Sequence, residues 1–180
     1  MPNYKRFYID NHYVFLTAVT YNRKNILIEN IDLLRECFNE TLKTYDFEIF
    51  GAVILPNHFH IIIKPNKIDD FSKIIGSIKK RFSYSLNPKF IDNNVSNSRI
   101  KRSEKGVWQR RFYEHVIRNE EDLNKHLDYI HYNPVKHNYT CNVCDWEFSS
   151  FNKFVKSNFY DKNWGCNPEE IKYLNLLDYE

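Results

Sequence analysis

The chain has 180 residues, and 42% hydrophobic with 27% charged side chains describe a globular protein, not a disordered one. Lys and Arg number 26 against 23 Asp and Glu, so the formal charge is only +3 and a polyanion site must come from local clustering. No apolar run approaches the roughly 18 residues of a membrane helix, and the opening Met1–Arg6 leads into no apolar segment, so no membrane span, no signal peptide and a cytoplasmic location are expected.

In chain order, His12–Tyr21 alternates β-prone residues and predicts a strand. Ile31–Tyr45 predicts an amphipathic helix, with Leu34, Phe38 and Leu42 at four-residue spacing. Glu48–Leu55 is a second strand. Pro56-Asn57 is a turn, and His58–Lys64 is its antiparallel partner strand. Phe71–Leu86 predicts a second helix with Ile74, Ile75, Ile78 and Phe82 on one side. Asn87–Gly106 is polar and basic and reads as a loop. Phe112–Ile117 is a fourth strand. Asn119–Tyr132 is a helix with Asn119 as N-cap, acidic residues in its first turn, and Asn133-Pro134 as its stop. The order β-α-β-β-α-β-α predicts an α+β, ferredoxin-like (RRM-like) antiparallel sheet with its two crossover helices on one face. Residues 1–139 would form that domain and 140–180 a short C-terminal extension packing on or flanking it.

Positive charge concentrates in two stretches, Lys79-Lys80-Arg81 and Arg99–Arg111. Lys79, Lys80, Arg81, Arg99, Lys101, Arg102, Arg110 and Arg111 are candidate clamps for a nucleic-acid backbone. Arg118 is a further candidate, for a phosphate or for a carboxylate of the following helix. Cys141 and Cys144 form a C-x-x-C which, with Cys166 and His137, offers a conceivable zinc set. Ordinary reduced thiols are the simpler reading in a chain without a secretion signal.

The chemistry-bearing residues begin with His58-Phe59-His60. On a strand, i and i+2 share a face, so both imidazoles project together while Phe59 enters the core. Paired imidazoles suit a divalent metal. On the last helix, Asp122, His126, Tyr129 and Asn133 fall within roughly 60° of one another at 100° per residue. Leu123, Leu127 and Ile130 form a separate stripe that would face the core, leaving the polar stripe beside it and Tyr129 exposed. If this helix packs beside the histidine strand, Asn133 offers an oxygen ligand and Tyr129 a phenol next to it. A phenol needs such help to attack a phosphodiester. His126, one turn before Tyr129, is a candidate proton relay.

The blocks Leu55-Pro-Asn-His-Phe-His60, Trp108-Gln109, Phe112-Tyr-Glu-His-Val-Ile-Arg118, Asp128-Tyr-Ile-His-Tyr-Asn-Pro-Val-Lys-His137 and Asp145-Trp-Glu-Phe-Ser-Ser-Phe151 occur in this order. In them the chain resembles the REP-associated tyrosine transposases, among the single-tyrosine HUH transposases of bacterial insertion sequences. The resemblance implies His58, His60 and Asn133 as metal ligands, Mg²⁺ or Mn²⁺ as the metal, and Tyr129 as nucleophile. It implies cleavage and rejoining of single-stranded DNA near hairpins through a 5′-phosphotyrosine, by a monomer or a homodimer. Tyr132 ranks second as nucleophile. A non-cleaving single-strand-binding module, or a regulatory protein derived from a transposase, is the competing reading.

Overall fold

The computed structural model describes residues 12–91 and 95–179. The reading of the extreme N-terminus lies outside the described residues. Strands β1 (Val14–Val19), β2 (Phe47–Ile54), β3 (His58–Pro65) and β4 (Tyr113–Val116) form one sheet in the order β2-β3-β1-β4, with every neighbouring pair antiparallel. The Pro56-Asn57 turn joins β2 to β3 as expected. The other connections are crossovers through α1 (Ile31–Leu42) and α2 (Phe71–Ser85). The architecture is the α+β arrangement that the element order predicts.

Strand alternation divides the core in two. Val14, Leu16 and Ala18 of β1 and Phe59, Ile61 and Ile63 of β3 pack under α1 and α2. Phe15, Val53 and Ile62 point to the other face. On α2, Phe71, Ile74, Ile75, Ile78 and Phe82 are all buried, as their spacing predicts. On α1, Leu34 and Phe38 are buried, but Leu42 is 38% exposed, and Cys37 and Thr41 complete the buried stripe instead. The hydroxyl of Thr41 is satisfied by the Cys37 carbonyl at 2.7 Å, which lets a polar residue sit there.

The second face is covered by α4 (Glu120–Lys136). Asn119 caps it, accepting the Asp122 N–H at 2.9 Å. The helix does not stop at Asn133-Pro134. Pro134 lies inside it, and it runs one turn further. It ends where Asn138 turns left-handed at φ 58°, with Asn138 N–H on Val135 O at 2.9 Å and Tyr139 N–H on Pro134 O at 2.9 Å. These are the paired bonds of a Schellman C-cap, and they satisfy carbonyls that a proline stop would have left open. Opposite this helix, β2 carries a bulge at Phe50, and a Cβ on Gly51 would lie 2.7 Å from Leu127 Cδ1. Glycine is what lets α4 approach so closely.

The polar segment before β4 holds a short helix, α3 (Asn97–Ile100), and a turn at Pro88–Phe90. It is tied down by Trp108, which is 6% exposed and donates from Nε1 to Lys79 O at 3.1 Å. The C-terminal residues fold onto the second face. Ile54 N–H bonds Phe148 O and Ser150 N–H bonds Ala52 O, both at 2.8 Å. Helices α5 (Phe151–Lys156) and α6 (Pro168–Leu174) complete the layer. Phe151, Phe154, Tyr160, Leu174 and Leu177 share one cluster with Phe15, Leu127, Ile130 and Tyr132. Burial of such side chains contributes about 1.5–3 kcal/mol each, so this segment is part of the core.

Candidate active site

His58 and His60 lie side by side on β3, opposite Val19 and Thr17 of β1. Their ring centroids are 4.9 Å apart at 83°, and both side chains are buried. His58 Nδ1 is 2.5 Å from Asn57 Oδ1, and His60 Nδ1 is 2.7 Å from Thr17 Oγ1. An amide oxygen only accepts, so His58 carries its proton on Nδ1. A cation would therefore meet that ring through the lone pair of Nε2. Phe15 lies nearly parallel to His60, at 5.6 Å and 13°.

Helix α4 faces this pair with one stripe of residues four apart. The Tyr129 ring is 5.2 Å from His60, and the His137 ring is 5.4 Å from His58. Asn133 lies midway between them on the same stripe, so the helix carries its amide beside the two imidazoles. That amide is fully buried, and neither its oxygen nor its nitrogen has a hydrogen-bond partner among the described residues. An unsatisfied amide is costly in an apolar setting. Two imidazoles and an amide oxygen make a donor set into which a divalent cation fits.

The expectation that Tyr129 is exposed is wrong. It is 2% exposed, and His126 is 1% exposed. Both stripes meet the sheet, Leu127 against Gly51 of β2 and Tyr129 against His60 of β3, and the C-terminal layer closes over what the sheet leaves open. Tyr179 completes the enclosure, 4.1 Å from His126 and 5.1 Å from Tyr129. Lys136 Nζ sits 5.2 Å from the centre of the Tyr129 ring and donates to Leu177 O at 2.9 Å. Tyr132 faces elsewhere, against Gly165 of the C-terminal layer.

His126 Nδ1 donates to the Asp122 backbone carbonyl at 2.8 Å and lies 3.1 Å from Asp122 Oδ1. Burial holds its pKa below the ordinary histidine value. It and Tyr129 both pack on Phe15 and Tyr179. His115, Asp122 and His126 bring their ligand atoms within 4.8 Å of one another, a second arrangement that could hold a cation. Asp122 is already engaged by His115 Nε2 at 2.8 Å and Arg118 N–H at 2.9 Å. Burial opposes its ionisation, yet these bonds outweigh it and hold the carboxyl below its ordinary range. The cluster therefore reads as a clasp between β4 and α4. Its Asp122 carboxylate answers the Arg118 backbone, while the Arg118 side chain is exposed. The cysteines do not converge on any metal-sized group among the described residues, and the His137 ring packs edge-on against His58.

The basic stretches divide into braces and exposed cations. Lys79 donates to Gln109 O at 2.8 Å, and burial brings its pKa down to about 8. Arg99 pairs with Glu104 at 3.1 Å and lies 4.2 Å over the Tyr21 ring. Arg81 reaches Ser77 and Thr44, each at 3.3 Å. Lys80, Lys101, Arg102, Arg110 and Arg111 are exposed. Lys80, Arg102 and Arg110 line a basic cleft of about 340 Å³ beside Tyr84.

Residues 8–133 match the family described as "Transposase IS200 like", a span that includes His58, His60, Tyr129 and Asn133. The chain belongs to this family. It is 40% identical over 171 residues to a Haemophilus influenzae protein of the REP-associated tyrosine transposase group, covering 94% of this chain and 96% of that one. It is 36% identical over 166 residues to the Escherichia coli K12 REP-associated tyrosine transposase, covering 91% of each. A solved REP-associated tyrosine transposase bound to a REP hairpin is 35% identical, with a TM-score of 0.75 over 91% of both chains. The IS200-like family member thus recognised carries His58 and His60 on the inner strand β3 and Tyr129 on the covering helix α4. Sequence reading missed Thr17, Lys136 and His137 as neighbours of that constellation. Only strand register and the longer helix bring them in.

Proposed function

We propose that this chain is a metal-dependent single-stranded DNA endonuclease and strand transferase. Tyr129 is its nucleophile, and His58, His60 and Asn133 hold Mg²⁺ or Mn²⁺. The observation that carries the reading is the helix stripe Tyr129–Asn133–His137 lying against His60 and His58. Tyr132, turned toward the C-terminal layer, is the poorer candidate.

When bound, the metal polarises a phosphoryl oxygen and offsets the charge that develops on it. The chain supplies the rest. Asn57 and Thr17 fix the two imidazoles from behind. Tyr129 Oη forms a bond to phosphorus while the P–O3′ bond breaks. Its proton leaves for a base, the 3′ oxygen gains one, and a 5′-phosphotyrosine and a free 3′ hydroxyl result. Attack by a 3′ hydroxyl reverses the step and rejoins a strand. Lys136 puts positive charge beside the ring where a phenolate develops. His126 is a candidate to relay the proton, because its buried Nε2 has no partner among the described residues.

One solved relative is bound to a REP hairpin, which supports a hairpin-bearing repeat as the substrate here, held as single strands by the exposed cations of the two basic stretches. The test is incubation with hairpin-bearing oligonucleotides, with and without Mn²⁺, followed by denaturing electrophoresis. A metal-dependent covalent band, lost in His58→Ala and His60→Ala, supports the reading. Binding without any band supports the non-cleaving alternative.

A further inference from the structure

A cavity of about 290 Å³ opens on the α4 side of the sheet, lined by Thr17, Val19, Arg23, His58, Gln109, Arg111, Phe112 and Tyr113. No acidic residue lines it, and two arginines do. Arg111 has no ion pair among the described residues. The floor follows from register: Tyr113 pairs with Thr17, Thr17 with His60, and Val19 with His58. All five point to the same face. Tyr113 therefore stands two strand spacings, roughly 10 Å, from the histidine strand. Tyr113 is 42% exposed as a residue, and its ring is edge-on to Phe15 at 6.0 Å.

Arg23 is held in this place at a backbone cost. Asn22 and Arg23 adopt left-handed φ of 54° and 48° in succession, which non-glycine residues seldom do. The surrounding bonds impose it. Thr20 Oγ1 lies 2.8 Å from Lys24 O and 2.9 Å from Asn57 O, and Tyr21 N–H bonds Val107 O at 2.9 Å. Asn57 is the residue that orients His58. One rigid turn thus sets both the histidine and the arginine.

Resting on the function proposed above, we infer that this cavity binds the nucleotide next to the scissile phosphate. Arg23 and Arg111 hold the neighbouring phosphate, and the base stacks on Tyr113. The size suits this occupant: about 290 Å³ is at the low end of ligand pockets, roughly 300–1,000 Å³, so it takes one nucleotide and no duplex. The chemistry also suits it. Planar guanidinium groups match phosphate oxygens, and an exposed phenol ring stacks any base.

The test is binding of full-length chain to single-stranded oligonucleotides, each with one phosphate replaced by a neutral methylphosphonate. Arg23→Asn is the informative variant because asparagine tolerates φ near 50°. Arg111→Gln and Tyr113→Leu accompany it. Each should weaken binding to the unmodified strand by roughly 5- to 20-fold, the scale of one lost stacking or phosphate contact. For both arginine variants the loss should vanish at one shared methylphosphonate position. For Tyr113→Leu it should vanish at one abasic position beside it. Losses that are equal at every position, or variants that bind like the parent, overturn the inference. The map is read from binding alone. Absence of a covalent band with the map intact would refute the cleavage reading and leave the pocket standing.

Discussion

Thr17 Oγ1 and His60 Nδ1 lie 2.7 Å apart across the β1–β3 pair, both buried. This one bond joins the register of the sheet to the chemistry of the site. It selects which ring nitrogen of His60 faces α4, and it fixes the ring against rotation.

Thr17→Val keeps the shape and removes the hydroxyl. Loss of such a support to a ligating histidine typically costs 10- to 100-fold in metal affinity or activity. The expected result is a drop of that size in Mn²⁺ affinity by titration calorimetry, with cleavage partly restored at high Mn²⁺. An unchanged affinity would separate Thr17 from the metal site.

Burial holds the His131 pKa down to about 3, and its Nε2 is 2.9 Å from Ser150 Oγ. The ring is therefore neutral in the fold, whereas in the unfolded chain it binds a proton below about pH 6.5. The unfolded state binds more protons between those values, so stability is full above about pH 6.5 and falls as pH drops toward 3. The slope from this group approaches about 1.4 kcal/mol per pH unit. Urea unfolding at pH 7.5, 6 and 5 should show the decline. His131→Gln, which keeps a partner for Ser150, should flatten it.

Tyr179 covers the residue that the proposed chemistry needs. A DNA strand reaches Tyr129, 2% exposed, only if Tyr179 and the Lys136–Leu177 bond give way. Aromatic contacts of this kind are worth about 0.5–1.5 kcal/mol. Tyr179→Ala should therefore raise the initial rate of adduct formation by roughly 2- to 10-fold. Single-turnover kinetics would read it, and a slower or unaltered rate would mean that Tyr179 is no obstacle.

Much of this was legible from residue order. The alternation in His12–Tyr21 and His58–Lys64 defined the sheet, and i, i+2 spacing put His58 and His60 together. The face of α4 was not legible. A helix of Leu and Ile on one stripe and Asp, His, Tyr and Asn on another normally turns the second to water. Here the sheet itself presents His58, His60 and Phe15 to that stripe, and Tyr179 closes over it, so both stripes are buried. The helix end was misread for a related reason. Asn133-Pro134 is a stop signal only when nothing downstream restores the carbonyl bonds, and Asn138 does so five residues later. The basic loop looked like a uniform clamp. Arg99 and Lys79 are instead committed to holding it in place. No local pattern reports whether a cation points out or in.

The central claim is that Tyr129 attacks the DNA. Wild-type chain and Tyr129→Phe should be incubated with a hairpin-bearing single strand and Mn²⁺, then digested and examined by peptide mass spectrometry. The account predicts nucleotide mass on the peptide at Tyr129 in the wild type. It also predicts a Tyr129→Phe protein that binds the same strand, stays folded and forms no adduct. Nucleotide mass at Tyr132, or a Tyr129→Phe protein that still cleaves, would contradict it.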